Sequence, residues 1–388
     1  MDYRDSAEDR EWRETVREFI RTEAPEEYTV QRRLPVGGGG IGDETFQSWR
    51  HKIASRGWLA SHWPKQYGGA GMSTMQQYIL KEEFALNRVP HPGSRAVEMV
   101  GPTIIMHGTD EQKDKLLPPI LSGEAVYCQG FSEPGAGSDL ASLQLRAIRD
   151  GDDYVLNGQK IWTSNATTCT WMFLLARSQP DAPKHRGISY FVTPMDTPGL
   201  TIREIPDMAG GRDLCETFFD NVRIPASLRI GEENRGWYVA MTTLDFERSG
   251  IAGAVGLYLN VLDLIREVPK DSLSKSRRVL MADLLISAAV ARQMAQHVAD
   301  LQNRGKVPNY EASMVKLFSS EVVRRVDVEA VSMFGLRGIL SHGNGGREVR
   351  SGRIARSLSG SIPFVIAGGT SEVQRGIIAT RGLGLPRG

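Results

Sequence analysis

The hydrophobic and polar residues of this 388-residue chain follow a helical period at both ends and a strand-like pattern between them. Near the N-terminus, Trp12, Val16 and Phe19 fall on one face of a helix, with charged residues between them. Between residues 125 and 225, short runs rich in β-forming residues recur, which predicts a small sandwich or barrel. The helical period returns after Gly236. The chain is therefore predicted to contain a helical region, a β region and a second helical region, in that order.

One stretch of the β region carries a strong turn signal. Asn157-Gly158 separates two β-type runs, residues 154–156 and 159–162, and Asn-Gly suits the positive φ angles of a type I′ turn. The sequence therefore predicts a β-hairpin at this point. Because unlike elements occur in blocks and no GxGxxG motif opens a helix, a doubly wound nicotinamide-binding sheet is disfavoured.

Composition and charge narrow the function classes. Lys and Arg number 47 and Asp and Glu number 46, so a net charge of +1 gives no reason to expect a nucleic-acid or anionic-membrane partner. Cys128, Cys169 and Cys215 form no CxxC pair, so neither a metal site nor a disulfide framework is predicted. The most apolar stretch, residues 279–291, is interrupted by Asp283 and is shorter than a membrane span. We expect a cytoplasmic enzyme.

Two segments of the β region are candidates for chemistry. Residues 127–139 contain small residues that let a backbone approach a ligand closely, and Ser132 and Ser138 add hydroxyl groups. A plain turn between lobes would explain this segment equally well. In residues 160–165 a strand delivers the aromatic face of Trp162, followed by hydroxyls, although a lone tryptophan is more often part of a core. Each segment therefore has a binding interpretation and a structural one.

Two segments of the C-terminal region are also candidates. In residues 244–250, Arg248 falls within the apolar stripe of a predicted helix and Glu247 lies at its edge. A charge that faces a packed surface needs a partner or a function, so an interlobe salt bridge and a catalytic carboxylate are both open. Residues 366–375 form a glycine-rich loop in which Thr370 caps a final helix. Such a helix start suits an anion or a cofactor, and simple capping would also explain it.

Taken together and in this order, these segments resemble the motifs of the acyl-CoA dehydrogenases, and the resemblance covers the whole chain. The matching stretches are residues 132–139, 157–162, 245–248 and 369–375. The resemblance implies an α+β fold with an N-terminal helical domain, a middle β-sandwich or barrel domain and a C-terminal four-helix-bundle domain. The corresponding boundaries are residues 1–122, 123–230 and 231–388.

The resemblance also implies a noncovalently bound FAD and the oxidation of an acyl-CoA thioester to the 2,3-enoyl product. The residues that resemble the family's FAD contacts are Gln129, Phe131 and Ser132 at the flavin ring, Trp162 and Ser164 as the wall near flavin N5, and Thr370 and Glu372 at the phosphates and ribityl chain. The residues that resemble its thioester and pantetheine channel are Ser138, Asp245 and Arg248.

The position of the catalytic base is the most informative detail of the resemblance. Many family members carry the base immediately before the Gly-Thr of the final loop, and here that position is Gly368. The isovaleryl-CoA dehydrogenase pattern instead places the base on an Asp-x-Glu-Arg helix, which Glu247 matches. The resemblance therefore implies that Glu247 takes the substrate α-proton. The alternative is that Glu247 only pairs with a cation and that the chain is inactive alone.

Two elements of the family are altered in this chain. No Phe-Gly follows Arg266, where the family has Arg-x-x-Phe-Gly, and the family's Gln-x-x-Gly-Gly segment reads Ser332 to Leu336. Both elements normally hold the adenine half of an FAD that is shared between subunits, and their loss resembles bacterial heterotetrameric members. An unlike partner subunit that completes the FAD site is therefore predicted. A homo-oligomer and a non-catalytic scaffold subunit are the alternatives.

The remaining expectations concern the acceptor, the substrate and the reaction class. The family implies an electron-transfer flavoprotein as electron acceptor. A base on the helix occurs in members that take branched, long or polycyclic acyl groups, so a bulky acyl-CoA from fatty-acid or steroid side-chain β-oxidation is expected. Flavin-dependent monooxygenases and nitroalkane oxidases share the fold, but Glu247, Ser138 and Arg248 disfavour them.

Overall fold

The computed structural model describes residues 4–29, 44–91, 93–247, 251–268, 273–343 and 345–386, and it describes residues 245–247 and 251–252 by backbone alone. Helices occupy both ends of this part of the chain and strands occupy its middle, which confirms the predicted block order. The α-helices of the described residues are α1 (Ala7–Glu23), α2 (Glu26–Thr29), α3 (Glu44–Ser55), α4 (Thr74–Leu86), α5 (Gly101–His107), α6 (Asp110–Ser122), α7 (Gly236–Glu247), α8 (Ile251–Glu267), α9 (Lys275–Asn303), α10 (Glu311–Phe334), α11 (Arg353–Gly360) and α12 (Ser371–Ile377).

The chain divides into two compact units. The first unit comprises Met1–Pro64, Gly69–Pro92 and Arg248–Gly388, and the second comprises Lys65–Gly68 and Gly93–Glu247. The first unit is helical, whereas the second combines all the described strands with α5, α6 and α7. The predicted site residues are therefore distributed over both units.

The core of the first unit lies among long amphipathic helices. Helices α8, α9 and α10 bury an apolar cluster that includes Val261, Leu284 and Val326. Helix α4 contributes Tyr78 and Ile79 to a second cluster with α8, α9 and α10. Burial of such side chains is the main stabilising contribution to a helical bundle.

An ionic network fastens α1 to α4 within the same unit. Arg13 Nη1 lies 2.6 Å from Glu82 Oε2 and 2.7 Å from Glu83 Oε1. Arg17 Nε reaches Glu83 at 2.9 Å, and Arg292 of α9 reaches Glu82 at 2.8 Å. Because both carboxylates are almost completely buried, each needs these cations to offset its loss of hydration.

The second unit is built on eight hydrogen-bonded strands in its described residues. The strand order is β6-β7-β3-β2-β4-β5-β8, and β1 pairs in parallel with β4. The strands are β1 (Tyr127–Gly130), β2 (Arg146–Asp150), β3 (Asp153–Ser164), β4 (Trp171–Arg177), β5 (Ile188–Pro194), β6 (Leu200–Ile205), β7 (Leu214–Pro225) and β8 (Arg229–Ile230). Strands β4 and β5 are almost fully buried, which makes them the centre of the sheet's core.

The prediction of a β-hairpin at Asn157-Gly158 is wrong. Strand β3 runs without interruption from Asp153 to Ser164 and pairs along its length with β7. Gly158 has a φ of +140° at a register shift against β7, and a Cβ there would lie 3.0 Å from Leu145 Cδ1. The Asn-Gly pair therefore forms a β-bulge inside a long strand, because β7 pairs with β3 on both sides of it.

Helix α7 begins in close contact with the sheet. A Cβ at Gly236 would lie 2.4 Å from the carbonyl carbon of Ser189 and 2.5 Å from the backbone nitrogen of Tyr190, both on β5. Only glycine lets the helix backbone approach the strand this closely. The first residue of α7 is thus fixed against β5, and its last residue is Glu247.

The described ranges contain neither a membrane-spanning helix nor a metal site. None of the helices in these ranges has the length and apolar character needed to cross a bilayer. In the same ranges, no group of three or more His, Cys, Asp or Glu side chains is arranged to hold a metal ion.

Candidate functional site

Strand β1 and the residues after it carry the first group of predicted cofactor contacts. Gln129 pairs with Phe173 in the parallel ladder, and both Gln129 and Ser132 are half-buried. The side chain of Phe131 is buried and packs edge-on against Phe173 and Tyr190. The ring of Phe131 therefore belongs to the core of the sheet, and its backbone is the part that remains for contact with a ligand.

Trp162 projects from the sheet instead of packing into its core. It is 55% exposed and has a φ of +62°, a conformation that residues other than glycine rarely adopt. A register shift between Lys160 and Thr163 leaves it in a second bulge of β3. The core interpretation of Trp162 is therefore wrong. An exposed aromatic ring on a strained backbone is typical of a binding site, and half-buried Ser164 ends the same strand.

A buried ion pair, which the sequence analysis did not identify, joins these two segments. Lys160 Nζ lies 2.8 Å from Glu133 Oε1 and donates to the carbonyl of Phe131 at 3.0 Å. The carboxylate of Glu133 also accepts the backbone N–H groups of Gln144 at 2.6 Å and Leu145 at 2.9 Å. Burial lowers the pKa of Lys160 to about 8, although the adjacent carboxylate opposes the shift. In the sequence, this pair is marked only by the position of its members in residues 132–139 and 157–162, two of the stretches that carry the family resemblance.

The glycine-rich loop after β1 is open. A Cβ at Gly135 or Gly137 would meet no described atom within 4 Å, and Ser138 is exposed. Asp139 anchors the end of the loop through an ion pair with Lys184, which lowers the pKa of this carboxyl. The loop therefore presents its backbone and the Ser138 hydroxyl to a ligand that lies over it.

The C-terminal end of α7 carries the predicted base. Asp245 and Glu247 lie in its last turn, but their side chains, and the whole of Arg248, lie outside what the structure describes. One turn earlier, Thr243 is buried and its hydroxyl lies 2.8 Å from that of Thr103 on α5. The helix that carries Glu247 is thus held to α5, within the second unit, by a buried hydrogen bond.

The loop before α12 belongs to the first unit. Thr370 is the N-cap of α12, as predicted, and its hydroxyl accepts the Val373 N–H at 3.3 Å. Glu372 is exposed, and hydrogen bonds from its own backbone N–H and the Thr370 hydroxyl lower its pKa. Lys316 of α10 donates to the carbonyl of Gly369 at 2.6 Å. Thr370 and Glu372 border a cleft of about 610 Å³ that α10 also lines.

Gly368 leaves an open position in this loop. It has a φ of +66°, and a Cβ there would meet no described atom within 4 Å. In many members of the family that the sequence resembles, the catalytic carboxylate is at this position. In this chain Gly368 supplies no carboxylate.

The features of the second unit fit a flat aromatic ligand. In the second unit, exposed Trp162 lies beside the hydrogen-bonded Ser132 segment, since Ile161 N–H donates to the Ser132 carbonyl at 2.9 Å. An exposed ring next to hydroxyl groups and open glycine backbone offers stacking and hydrogen bonds to an isoalloxazine ring. Thr370 and Glu372 lie apart in sequence, in the first unit. The block order of helices, strands and helices, with an exposed ring beside hydroxyl groups, is typical of a flavin-binding fold.

Comparison with known families identifies which flavoprotein class this is. Residues 6–124 match the family description "Acyl-CoA dehydrogenase, N-terminal domain", residues 128–222 match the middle domain and residues 234–383 match the C-terminal domain. The chain belongs to the acyl-CoA dehydrogenase family. It is accordingly an oxidoreductase, and FAD is its cofactor, which confirms the resemblance inferred from the sequence.

Three similar proteins extend this result. Acyl-CoA dehydrogenase FadE26 of Mycobacterium tuberculosis is 34% identical over 394 residues, covering 96% of this chain and 97% of that protein. The structure described as Tcur3481-Tcur3483 steroid ACAD has a TM-score of 0.85 at 34% identity and covers 100% of both chains. The ChsE4-ChsE5 complex from Mycobacterium tuberculosis has a TM-score of 0.83 at 33% identity, also with 100% coverage of both chains.

Proposed function

We propose that this chain catalyses the FAD-dependent α,β-dehydrogenation of an acyl-CoA thioester, with Glu247 as the base that removes the α-proton. The observation that carries the proposal is the open position at Gly368, combined with a glutamate at the end of α7. A dehydrogenation of this kind needs a carboxylate at the substrate α-carbon. Of the two positions that the family uses, only the helix offers one here.

The chemistry favours a base on a firmly held element. The α-C–H beside a thioester is a weak acid, so the carboxylate must meet it in a fixed geometry with little water nearby. The close approach of Gly236 to β5 and the Thr103–Thr243 hydrogen bond hold α7 at two points. When the acyl chain excludes water, the proton affinity of Glu247 rises and it becomes a stronger base. FAD, when bound, supplies the acceptor for the hydride that leaves Cβ.

The other site residues are assigned by the same proposal. Trp162 stacks on the flavin and Ser164 bonds beside it, while Phe131 contributes backbone and Gln129 and Ser132 contribute polar groups. Thr370 and Glu372 contact the FAD phosphates and ribityl chain. Ser138, Asp245 and Arg248 line the thioester and pantetheine channel. The exposure of Trp162 and Ser138 supports these assignments because each leaves a side chain free to touch a ligand.

We assign a bulky acyl group, of the long, branched or polycyclic kind, to this site. The name of the steroid ACAD relative, at 34% identity, supports a polycyclic acyl chain. An anaerobic titration of the FAD-loaded protein with acyl-CoA thioesters of increasing bulk is expected to bleach the flavin absorbance, most completely with the bulkiest thioesters. Free CoA is the control and should cause no bleaching. Bleaching by a nitroalkane, with none by any thioester, would favour a nitroalkane-oxidase-like reaction and contradict the proposal.

The adenosine end of the FAD is assigned to an unlike partner subunit. In the altered segment, α10 ends at Phe334, and Leu336 and Ile339 just beyond it are 80% and 53% exposed. Exposed apolar side chains grouped in this way suit a protein partner. The similarity to the ChsE4-ChsE5 complex supports an assembly of two different chains. An electron-transfer flavoprotein is the proposed electron acceptor.

The partner hypothesis predicts that the chain purified alone carries well under one FAD per chain. Co-expression with unlike acyl-CoA dehydrogenase subunits is expected to raise this FAD content, because the second chain supplies the missing contacts. Absorbance ratios give the FAD content, and light scattering gives the mass of each assembly. A homotetramer of this chain alone with full FAD occupancy would contradict the hypothesis.

We keep the domain boundaries at residues 1–122, 123–230 and 231–388. The three family matches begin and end within eight residues of these boundaries, which supports them. The compact units of the structure divide the helices differently, since α5, α6 and α7 cluster with the sheet. The family's sequence domains therefore number three, whereas close packing groups the chain into two units.

A further inference from the structure

The buried pair of Lys160 and Glu133 is unusual for the middle of a β-sheet. Lys160 is 0% exposed and Glu133 is 8% exposed, so both charges have lost nearly all their hydration. Each is instead satisfied inside the protein, Lys160 by the Phe131 carbonyl and Glu133 by two backbone N–H groups in addition to the ammonium. A buried pair of this kind is seldom more stabilising than a well-packed apolar pair, so stability alone does not account for it.

The location of the pair suggests another role. Lys160 lies two residues before Trp162, and Glu133 lies one residue after Ser132. Together with the hydrogen bond from Ile161 N–H to the Ser132 carbonyl, the pair fastens residues 131–133 to β3 immediately before the bulge. On the far side of the bulge, Asn165 N–H donates to the carbonyl of Asp213 at 2.6 Å. The strained Trp162 backbone is therefore held from both sides.

We infer that the Glu133–Lys160 pair is a positioning device that fixes residues 131–133 and Trp162 in the conformation that binds FAD. A left-handed conformation at a tryptophan persists only where the surroundings impose it. An ion pair with directed hydrogen bonds imposes position more sharply than apolar packing, which tolerates sliding. Neither residue needs to touch the cofactor, and the inference does not depend on which residue is the catalytic base.

Two charged groups, Glu133 and Arg177, act on the buried Lys160 ammonium. Burial is the largest influence on the pKa of Lys160 and lowers it, whereas Glu133 raises this pKa and Arg177 lowers it. Arg177 is itself occupied by the carbonyls of Ala141 and Leu143. Arg177 is thus held by carbonyl oxygens, and the Glu133 carboxylate is held by Lys160 and the two backbone N–H groups.

The test compares Lys160→Met with the double variant Lys160→Met/Glu133→Gln in the FAD-binding form of the protein, whether that is the chain alone or the chain with its partner subunit. Lys160→Met leaves a buried carboxylate unpaired, so it is expected to lower the melting temperature and to weaken FAD binding at least tenfold. The double variant removes both charges and is expected to recover most of the melting temperature. FAD affinity and the visible circular dichroism of bound flavin are expected to stay impaired.

A second measurement does not involve the cofactor. Hydrogen exchange of the peptide that contains Ile161 is expected to speed up in both variants, because the Ile161–Ser132 hydrogen bond loses its support. Tyr154→Phe is the matched control: it removes the hydroxyl that donates to Glu233 and accepts from Arg229 at the other end of the same strand, and it should leave FAD affinity unchanged. If FAD affinity and exchange recover together with the melting temperature in the double variant, the pair is only structural and the inference fails. Should Lys160→Met not fold, the double variant alone decides between these outcomes.

Discussion

Replacing Glu247 by Gln is expected to slow flavin reduction by an acyl-CoA about 10³-fold while FAD stays bound. The amide has nearly the shape of the carboxylate but does not accept the α-proton, so the chemical step is lost and the fold is kept. Stopped-flow measurement of flavin bleaching under anaerobic conditions gives the rate. The flavin spectrum before mixing shows whether the cofactor is retained.

Glu232→Gln is the matched control for this experiment. Glu232 is an exposed carboxylate that precedes α7, and its neutralisation should leave the rate of flavin reduction within about twofold of the original, because it is not among the site residues. Retained reduction in Glu247→Gln would show that the base is elsewhere. Slow reduction in both variants would indicate a general effect of charge near α7 and would also count against the assignment.

Replacing Gly236 by Ala is expected to lower the free energy of unfolding by about 2–3 kcal/mol. The new Cβ would lie 2.4 Å from a backbone carbon of Ser189, and a strand backbone in the core of the sheet has little freedom to move. The helix must therefore shift away from β5. Because Glu247 lies at the other end of the same helix, flavin reduction is expected to slow as well.

The control for this substitution is Gly256→Ala in α8. A Cβ at Gly256 would meet no described atom within 4 Å, so the alanine should raise stability by up to about 1 kcal/mol through its better helix propensity. Urea unfolding followed by circular dichroism measures both variants. Equal stability of the two alanine variants would show that the contact between α7 and β5 is looser than the structure describes.

The block order of the fold could be predicted because hydrophobic period is a local property. Thr370 was predicted as an N-cap for the same reason, since capping involves residues only three positions apart. The hairpin prediction was wrong because Leu156 and Gly158, on either side of the shift, pair with β7, more than 50 residues later, and a local turn signal carries no information about that pairing. Long-range pairing decided the outcome there.

In the candidate site, too, the features that depend on long-range pairing could not be predicted from the sequence. The exposure of Trp162 was unpredictable because it depends on a bulge against β7, and tryptophan by itself favours burial. The pairing of Glu133 with Lys160 joins the loop after β1 to strand β3, 27 residues later, so neither residue type nor spacing predicts it. The family resemblance marked these stretches as candidates, and the three-dimensional structure shows that Trp162 is exposed within them whereas Lys160 and Glu133 are buried.

The open position at Gly368 has a consequence for how such enzymes diverge. Its φ of +66° lies where L-residues with side chains are strained, so a glutamate introduced there by one mutation would carry a cost of about 1–2 kcal/mol in addition to any change in chemistry. Any side chain placed at residue 368 therefore adds backbone strain to whatever its chemistry contributes. A carboxylate at this position would persist only where its chemical benefit outweighs that cost, which lies within the range of ordinary single substitutions.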